Sequence, residues 1–210
     1  GYYLWLFPKT NFLLFPKHQI ENDLSIKLKR AKNISVTIKG TRSINIDLSE
    51  RVATYIWCGE IPTADTTKCY FMDDSGYIFD NAPSFSGNVY FKFFGKVDTD
   101  SSGSVSGSYY MNNDFNKLLS LKSILENMGL KISSLFVKDN NDAEFYLASA
   151  TPLPDAPKIM FRTDADFDNL AENLQAALTT EPLKTDFATK YSSLLFINLS
   201  IGNKIYYKFK

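Results

Sequence analysis

The sequence predicts an α+β fold, and three observations carry that expectation. Segments with two-residue hydrophobic alternation outnumber those with helical spacing. The strands come in runs joined by tight turns rather than alternating one by one with helices, which favours α+β over a doubly wound sheet. A chain of 210 residues with 44% hydrophobic content can bury a sizeable core.

Local pattern predicts each element in turn. The aromatic opening over residues 2–7 is strand-like, and Pro8 and Pro16 punctuate the stretch after it. Ile20, Leu24 and Leu28 recur every four residues, the spacing of a short amphipathic helix with Pro16 suited to its entry turn. Ile34, Val36 and Ile38 alternate, as do Ile44, Ile46 and Leu48, and Gly40 between them predicts a hairpin with one apolar face. Residues 55–58, 68–72, 77–80 and 89–94 predict successive strands, with tight turns at 73–76 and 86–88. The Gly-, Ser- and Asp-rich stretch 96–108 has no apolar period and predicts a mobile surface loop.

A helix is expected over 114–128, with Phe115, Leu118, Leu119, Leu125 and Met128 on one face. Asn113 or Asp114 can cap it, and Gly129 follows its end. Strands at 132–138 and 144–148 flank a turn at 139–142. After the bend at Pro152-Leu153-Pro154 comes a strand at 158–162, then a helix whose stripe is Phe167, Leu170, Ala171, Leu174 and Leu178, limited by Pro182. Strands at 194–201 and 204–209, joined by a turn at Gly202-Asn203, close the chain.

Composition narrows function. The 23 basic and 23 acidic residues leave no surplus of cations for neutralising phosphates, so no nucleic acid is expected as partner. One His and two Cys are too few for a zinc, haem or iron–sulfur site, and no cofactor is expected. The longest uncharged apolar run, 2–7, is far short of the ~20 residues that span a bilayer. The abrupt aromatic start at Gly1, without an initiating Met, predicts an internal fragment.

Individual candidates have bland readings beside functional ones. Cys58 and Cys69 lie at the ends of neighbouring expected strands and reach disulfide spacing if the register pairs them; two unconnected buried thiols are the alternative, and a redox-active pair is disfavoured because the compact Cys-X-X-Cys spacing is absent. His18 begins a helix without a sequence partner, and a hydrolase would have to place it in a cleft beside a nucleophile and a carboxylate. Asp98, Asp100 and Gly103 resemble the start of a calcium loop, but its twelfth position is Tyr109, so a solvated loop is expected. Asp73-Asp74, the group Asp139, Asp142 and Glu144, and the group Asp164, Asp166 and Asp168 have turn or helix-start roles that explain them without acid–base chemistry. The sequons at Asn33 and Asn198 fall inside expected strands, a poor place for glycans. The carboxyl end from Lys204 to Lys210 alternates in character and carries lysines of the kind that protect a free edge. Such an edge can accept a partner strand; an ordinary closing strand is the alternative.

Two stretches together resemble a family. Val36 to Ile38, then Ile44 through the pair Glu50-Arg51, then Tyr55-Ile56-Trp57, are similar to the passage from the small POTRA domain to the larger β-domain of the bacterial division proteins FtsQ and DivIB. The turn from Asp73 to Gly76, the helix from Phe115 to Met128 with Gly129-Leu130-Lys131-Ile132, and the strand from Ile197 to Ile201 follow the family's order. The chain departs from it at Ala53, where the family has Pro, and at Asn198 and Ser200, where it has Asp and Arg.

The resemblance implies a POTRA-like domain at 1–52 lacking its first strand, and at 53–210 an FtsQ/DivIB-type β-domain, a mixed or antiparallel sheet with helices on one side. It implies a non-enzymatic scaffold of the divisome, tethered to the plasma membrane by an upstream helix absent from this chain, with this region outside the cytoplasm. FtsB- or DivIC-like and FtsL-like proteins would be its partners, without a small-molecule substrate. Carried onto this sequence, the partner-binding positions are Ile201, Asn203, Lys204, Tyr207 and Phe209. A POTRA-bearing transport or outer-membrane assembly component is the alternative.

Overall fold

The computed structural model describes residues 2–3, 7–8, 15–40, 43–63, 68–85, 89–99, 103–202 and 204–210. It is an α+β structure whose chain divides into two units, Gly1–Val52 and Ala53–Lys210. Among the described residues no helix is long and apolar enough to cross a membrane.

In the first unit β1 (Tyr2–Tyr3) pairs antiparallel with β2 (Phe7–Pro8). Helix α1 (Lys17–Lys27) then packs on β3 (Ala31–Lys39), which forms an antiparallel hairpin with β4 (Ser43–Glu50). Gly40 takes the positive φ of +71° that the turn requires. One hydrogen bond ties the helix to the hairpin. The Val36 N–H donates to Glu21 Oε1 at 2.8 Å, and this bond is the main cause of the lowered Glu21 pKa. The apolar face expected of the hairpin is only partly covered. Val36 is fully buried, whereas Ile38, Ile44, Ile46 and Leu48 are exposed, because a two-stranded ribbon has room beneath one short helix for few side chains.

The second unit is built on a nine-stranded sheet. Its strands are β5 (Tyr55–Trp57), β6 (Cys69–Met72), β7 (Ile78–Ala82), β8 (Lys92–Phe94), β9 (Ile132–Val137), β10 (Asp142–Leu147), β11 (Lys158–Arg162), β12 (Leu194–Ile201) and β13 (Lys204–Phe209). They lie in the order β13-β12-β11-β10-β9-β8-β5-β6-β7. The pairs β5/β8, β8/β9 and β11/β12 are parallel and the rest antiparallel. Parallel neighbours need long crossovers. Helix α2 (Phe115–Asn127) supplies the one from β8 to β9, while α3 (Phe167–Thr179) and α4 (Leu183–Lys190) supply the one from β11 to β12.

The pleat sorts side chains into transverse rows on opposite faces. One row runs Trp57, Phe93, Leu135, Phe145, Ile159, Ile197 across six paired strands. Onto it α2 sets Phe115, Leu118, Leu121 and Leu125, and α3 sets Leu170, Ala171 and Leu174, all buried in one core. The neighbouring row faces the other way and reads Ile56, Lys92, Ser134, Tyr146, Lys158, Phe196.

Four local expectations need correction. In α2 Leu121 is buried while Leu119 and Met128 are half-buried, and Asp114, at the cap position, pairs with Lys117 at 2.9 Å instead of capping. The strand expected at 89–94 is regular only over β8, and the turn expected at 86–88 lies outside the described residues. The stretch expected as a mobile loop is tied at its end to β7. The Gly107 N–H donates to Ile78 O, the Ile78 N–H to Ser108 O and the Ser106 hydroxyl to Phe79 O, at 2.7 to 3.0 Å. An edge strand with unsatisfied main-chain groups gains from such partners even where the covering segment has no apolar period. Helix α4 was not expected. It fully buries only Leu183, so its sequence shows little periodicity.

Gly95 follows β8 at φ +133°, and a Cβ there would stand 2.5 Å from the Val137 carbonyl oxygen. Gly95→Ala should therefore destabilise the second unit by roughly 2–4 kcal/mol, combining the positive-φ cost with overpacking. A urea unfolding midpoint within error of the unsubstituted chain would contradict this.

Candidate functional site

The two edges of the nine-stranded sheet are unlike. At one, the main chain of residues 107–110 lies along β7 and the turn before it, with the Tyr110 N–H donating to Gly76 O at 2.9 Å. At the other, among the described residues, β13 has no main-chain partner besides β12. Only the Lys210 N–H, just beyond the strand, reaches another segment, donating to Ser193 O at 2.8 Å. The outward N–H and C=O groups of an edge strand are free to pair with an incoming strand.

The sequence 204–209 alternates, and the fold gives each set of side chains its face. Tyr207 lies opposite Ile197 and so belongs to the core row, with Ile205 and Phe209 half-buried beside it; the Tyr207 and Phe209 rings meet edge to face at 5.8 Å. Lys204, Tyr206 and Lys208 are exposed on the opposite face, and Lys204, Lys208 and Lys210 carry no ion pair among the described residues. Of the positions expected from the sequence, Tyr207 and Phe209 are thus brought together, while Lys204 faces away from them. Ile201 is 51% exposed at the end of β12, opposite Lys204. Asn203 lies outside the described residues. Tyr206 and Lys208, missed from sequence, stand on the face that Lys204 occupies, and the same two-residue period would have marked them.

Cys58 and Cys69 form a disulfide. The antiparallel register Trp57 to Tyr70, continued by one residue, sets Cys58 opposite Cys69, with Cα atoms 4.2 Å apart. Register was the condition on which their pairing depended, and the bonded reading holds over that of two unconnected thiols.

The other candidates are distributed by burial and hydrogen bonding. His18 is 95% exposed on α1, with its Nδ1 3.3 Å from Glu21, so among the described residues no cleft of the kind a hydrolase would need encloses it. Asp73 is buried, and its Oδ1 accepts from the Ser75 N–H, the Ser75 hydroxyl and the Tyr77 N–H, the bonding of a turn. Asp166 caps α3 by accepting from the N–H groups of Asp168 and Asn169, and Asp164 pairs with Arg162. Residues 100–102 of the possible calcium loop lie outside the described residues. Among those described no group of three or more His, Cys, Asp or Glu is arranged to hold a metal ion.

Glu144 is the exception among the acids. Its side chain is 4% exposed, and it accepts from Lys138 at 2.7 Å, Tyr146 Oη at 2.7 Å and Lys158 at 3.0 Å. Burial alone would raise its pKa; the three hydrogen bonds and the Lys158 charge outweigh that and hold it below the ordinary carboxylate value. Burial and the adjacent Glu144 both push the Tyr146 phenol up. Both oxygens of the carboxylate are engaged, which suits a brace across β9, β10 and β11 better than proton transfer.

No known family model matches the chain, and no curated protein matches it significantly.

This geometry gives two expected outcomes. The disulfide closes a loop of 11 residues' separation, so Cys58→Ser with Cys69→Ser should lower stability by roughly 2–3 kcal/mol, read by chemical unfolding of oxidised and substituted chains. Because the Glu144 pKa is depressed on folding, its stabilisation is complete above its unfolded value of about 4.3 and is lost as pH falls through the folded one. Glu144→Gln should cost about 2 kcal/mol at neutral pH and flatten the decline of stability below about pH 4.5. Parallel pH–stability curves for the two chains would refute the brace.

Proposed function

We propose that this chain is the extracytoplasmic part of a division scaffold of the FtsQ/DivIB type. In this reading 1–52 is POTRA-like, 53–210 is the β-domain, and binding rather than chemistry is its activity. An FtsB- or DivIC-like protein, associated with an FtsL-like one, adds a strand to β13. The observation that carries the reading is the asymmetry of the sheet: β7 is covered by the chain's own backbone, whereas β13 presents its outer edge with apolar side chains on one face and lysines on the other. A strand laid there gains main-chain hydrogen bonds, and its alternate side chains meet two different surfaces. The disulfide supports an oxidising compartment, as expected outside the cytoplasm. Tethering to the plasma membrane by a helix upstream of this chain belongs to the same proposal.

Calorimetric titration with the extracytoplasmic segments of the FtsB/DivIC-like and FtsL-like proteins of the same genome tests it. Successive N–H groups of an antiparallel strand point to opposite sides. Of Tyr206→Pro and Tyr207→Pro, one therefore removes an outward donor and the other a donor to β12. The first should abolish binding while moving the thermal midpoint by no more than a few degrees, and the second should mainly destabilise the fold. Undiminished affinity in both variants would sink strand addition at β13.

A further inference from the structure

On the sheet face away from α2 and α3 there is a cavity of about 200 Å³, lined by Lys92 of β8 and Ser134 of β9 together with Leu153 and Ala156. Lys92 and Ser134 are cross-strand partners in the row that faces away from the helices, so their side chains lie side by side. Thr63, from the loop closed by the disulfide, completes the lining.

Two features set this cavity apart from an ordinary surface hollow. Ser134 is 1% exposed, and among the described residues its hydroxyl has no hydrogen-bond partner. A buried hydroxyl without a partner is costly and uncommon, and here the residue that carries it lines a space large enough for a ligand. Lys92, half-buried beside it, has neither ion pair nor hydrogen bond among the described residues. Among the described residues the lining contains no acidic side chain. By contrast, the next two strands in the same row carry Tyr146 and Lys158, both engaged with Glu144. The unmet donors of this row are therefore confined to the cavity.

We infer that the cavity binds a small carboxylate borne on a short apolar stem, with Lys92 as counter-charge and the Ser134 hydroxyl as hydrogen-bond donor. One ammonium balances one negative charge. The guanidinium fork that grips phosphate at two points is absent from the lining. The volume exceeds that of a bare inorganic ion, and Leu153 and Ala156 give a short apolar stem side chains to lie against. A free short-chain acid and the carboxyl terminus of a peptide share this chemistry. The inference is independent of the division reading, since it concerns neither β13 nor its partner.

The test is amide-resolved NMR of the labelled chain titrated with butyrate, N-acetylalanine, N-acetylalanine amide and inorganic phosphate. Saturable shifts at residues 92, 134 and 147–153 with the two carboxylates, and not with the amide, are expected. Tighter binding of N-acetylalanine points to a peptide terminus, and equal or tighter binding of butyrate to a free acid. Lys92→Met should weaken binding at least about tenfold, the loss of a charge-assisted hydrogen bond. Ser134→Ala should weaken it several-fold while leaving the thermal midpoint of the unliganded chain unchanged or higher, because it removes an unpaired buried hydroxyl. A floor of merely structural side chains would show neither effect on binding. The inference is overturned by no saturable shift at these residues, by equal shifts with the amide, by preference for phosphate, or by unchanged affinity in both variants.

Discussion

The constraint on which the rest depends is the pleat of the nine-stranded sheet, and Phe93 marks its centre. β8 is only three residues long and has parallel neighbours on both sides, so hydrogen bonding alone gives it little hold. Its middle side chain makes up for this: the Phe93 ring meets those of Tyr55, Phe91, Tyr110 and Phe115 at 5.0 to 5.4 Å. Because the period is two, placing Phe93 under the helices obliges Lys92 and Phe94 to face the other way. The same condition passes from strand to strand across the row to Ile197.

That sorting produces two unlike surfaces from one sheet. The face under α2 and α3 is a continuous apolar core, with the Trp57 indole donating to Gly95 O at 2.9 Å and the Tyr110 hydroxyl to Phe94 O at 2.7 Å, so that the polar ends of buried aromatics are satisfied. The burial that makes this core pushes the Tyr110 phenol up. On the opposite face, among the described residues, a smaller apolar cluster of Ile56, Cys58 and Phe94 lies beside a charged group. Glu144 draws Lys138, Tyr146 and Lys158 together there, and a single buried acid among several donors is stable only because both of its oxygens are bonded. Where the row continues to Ser134 and Lys92 the donors are not matched, and that mismatch gives the cavity its chemistry.

The edges obey a related rule. A sheet this wide has two exposed ladders unless something covers them. The segment ending at Tyr110 covers β7, and this explains why a stretch rich in Gly and Ser runs where it does: small residues let its backbone lie close against another strand. β13 has no such cover among the described residues, and its side chains divide into an apolar face continuous with the core and a cationic face in solvent. An open edge with two-faced side chains is the physical basis for reading the chain as a binder.

Much of this was legible in the sequence because it depends on neighbours in the chain. The alternation at 194–209, the helical stripe of Leu170, Ala171 and Leu174 and the turn at Gly40 are local patterns, and so are the α+β character and the two-faced nature of the last strand. Other features needed the tertiary structure, since they depend on which strands lie side by side. Only the register of β5 on β6 decides that Cys58 meets Cys69, and only the parallel pairing of β8 with β9 sets Lys92 beside Ser134, 42 residues later in the chain. Helix α4 left little trace in the sequence because it buries so little, and the fate of 96–108 was hidden because two of the three bonds that tie it to β7 are main-chain bonds that any residue can make. Hydrophobic period is written residue by residue; strand order and register are set by loop closure and packing across the whole unit.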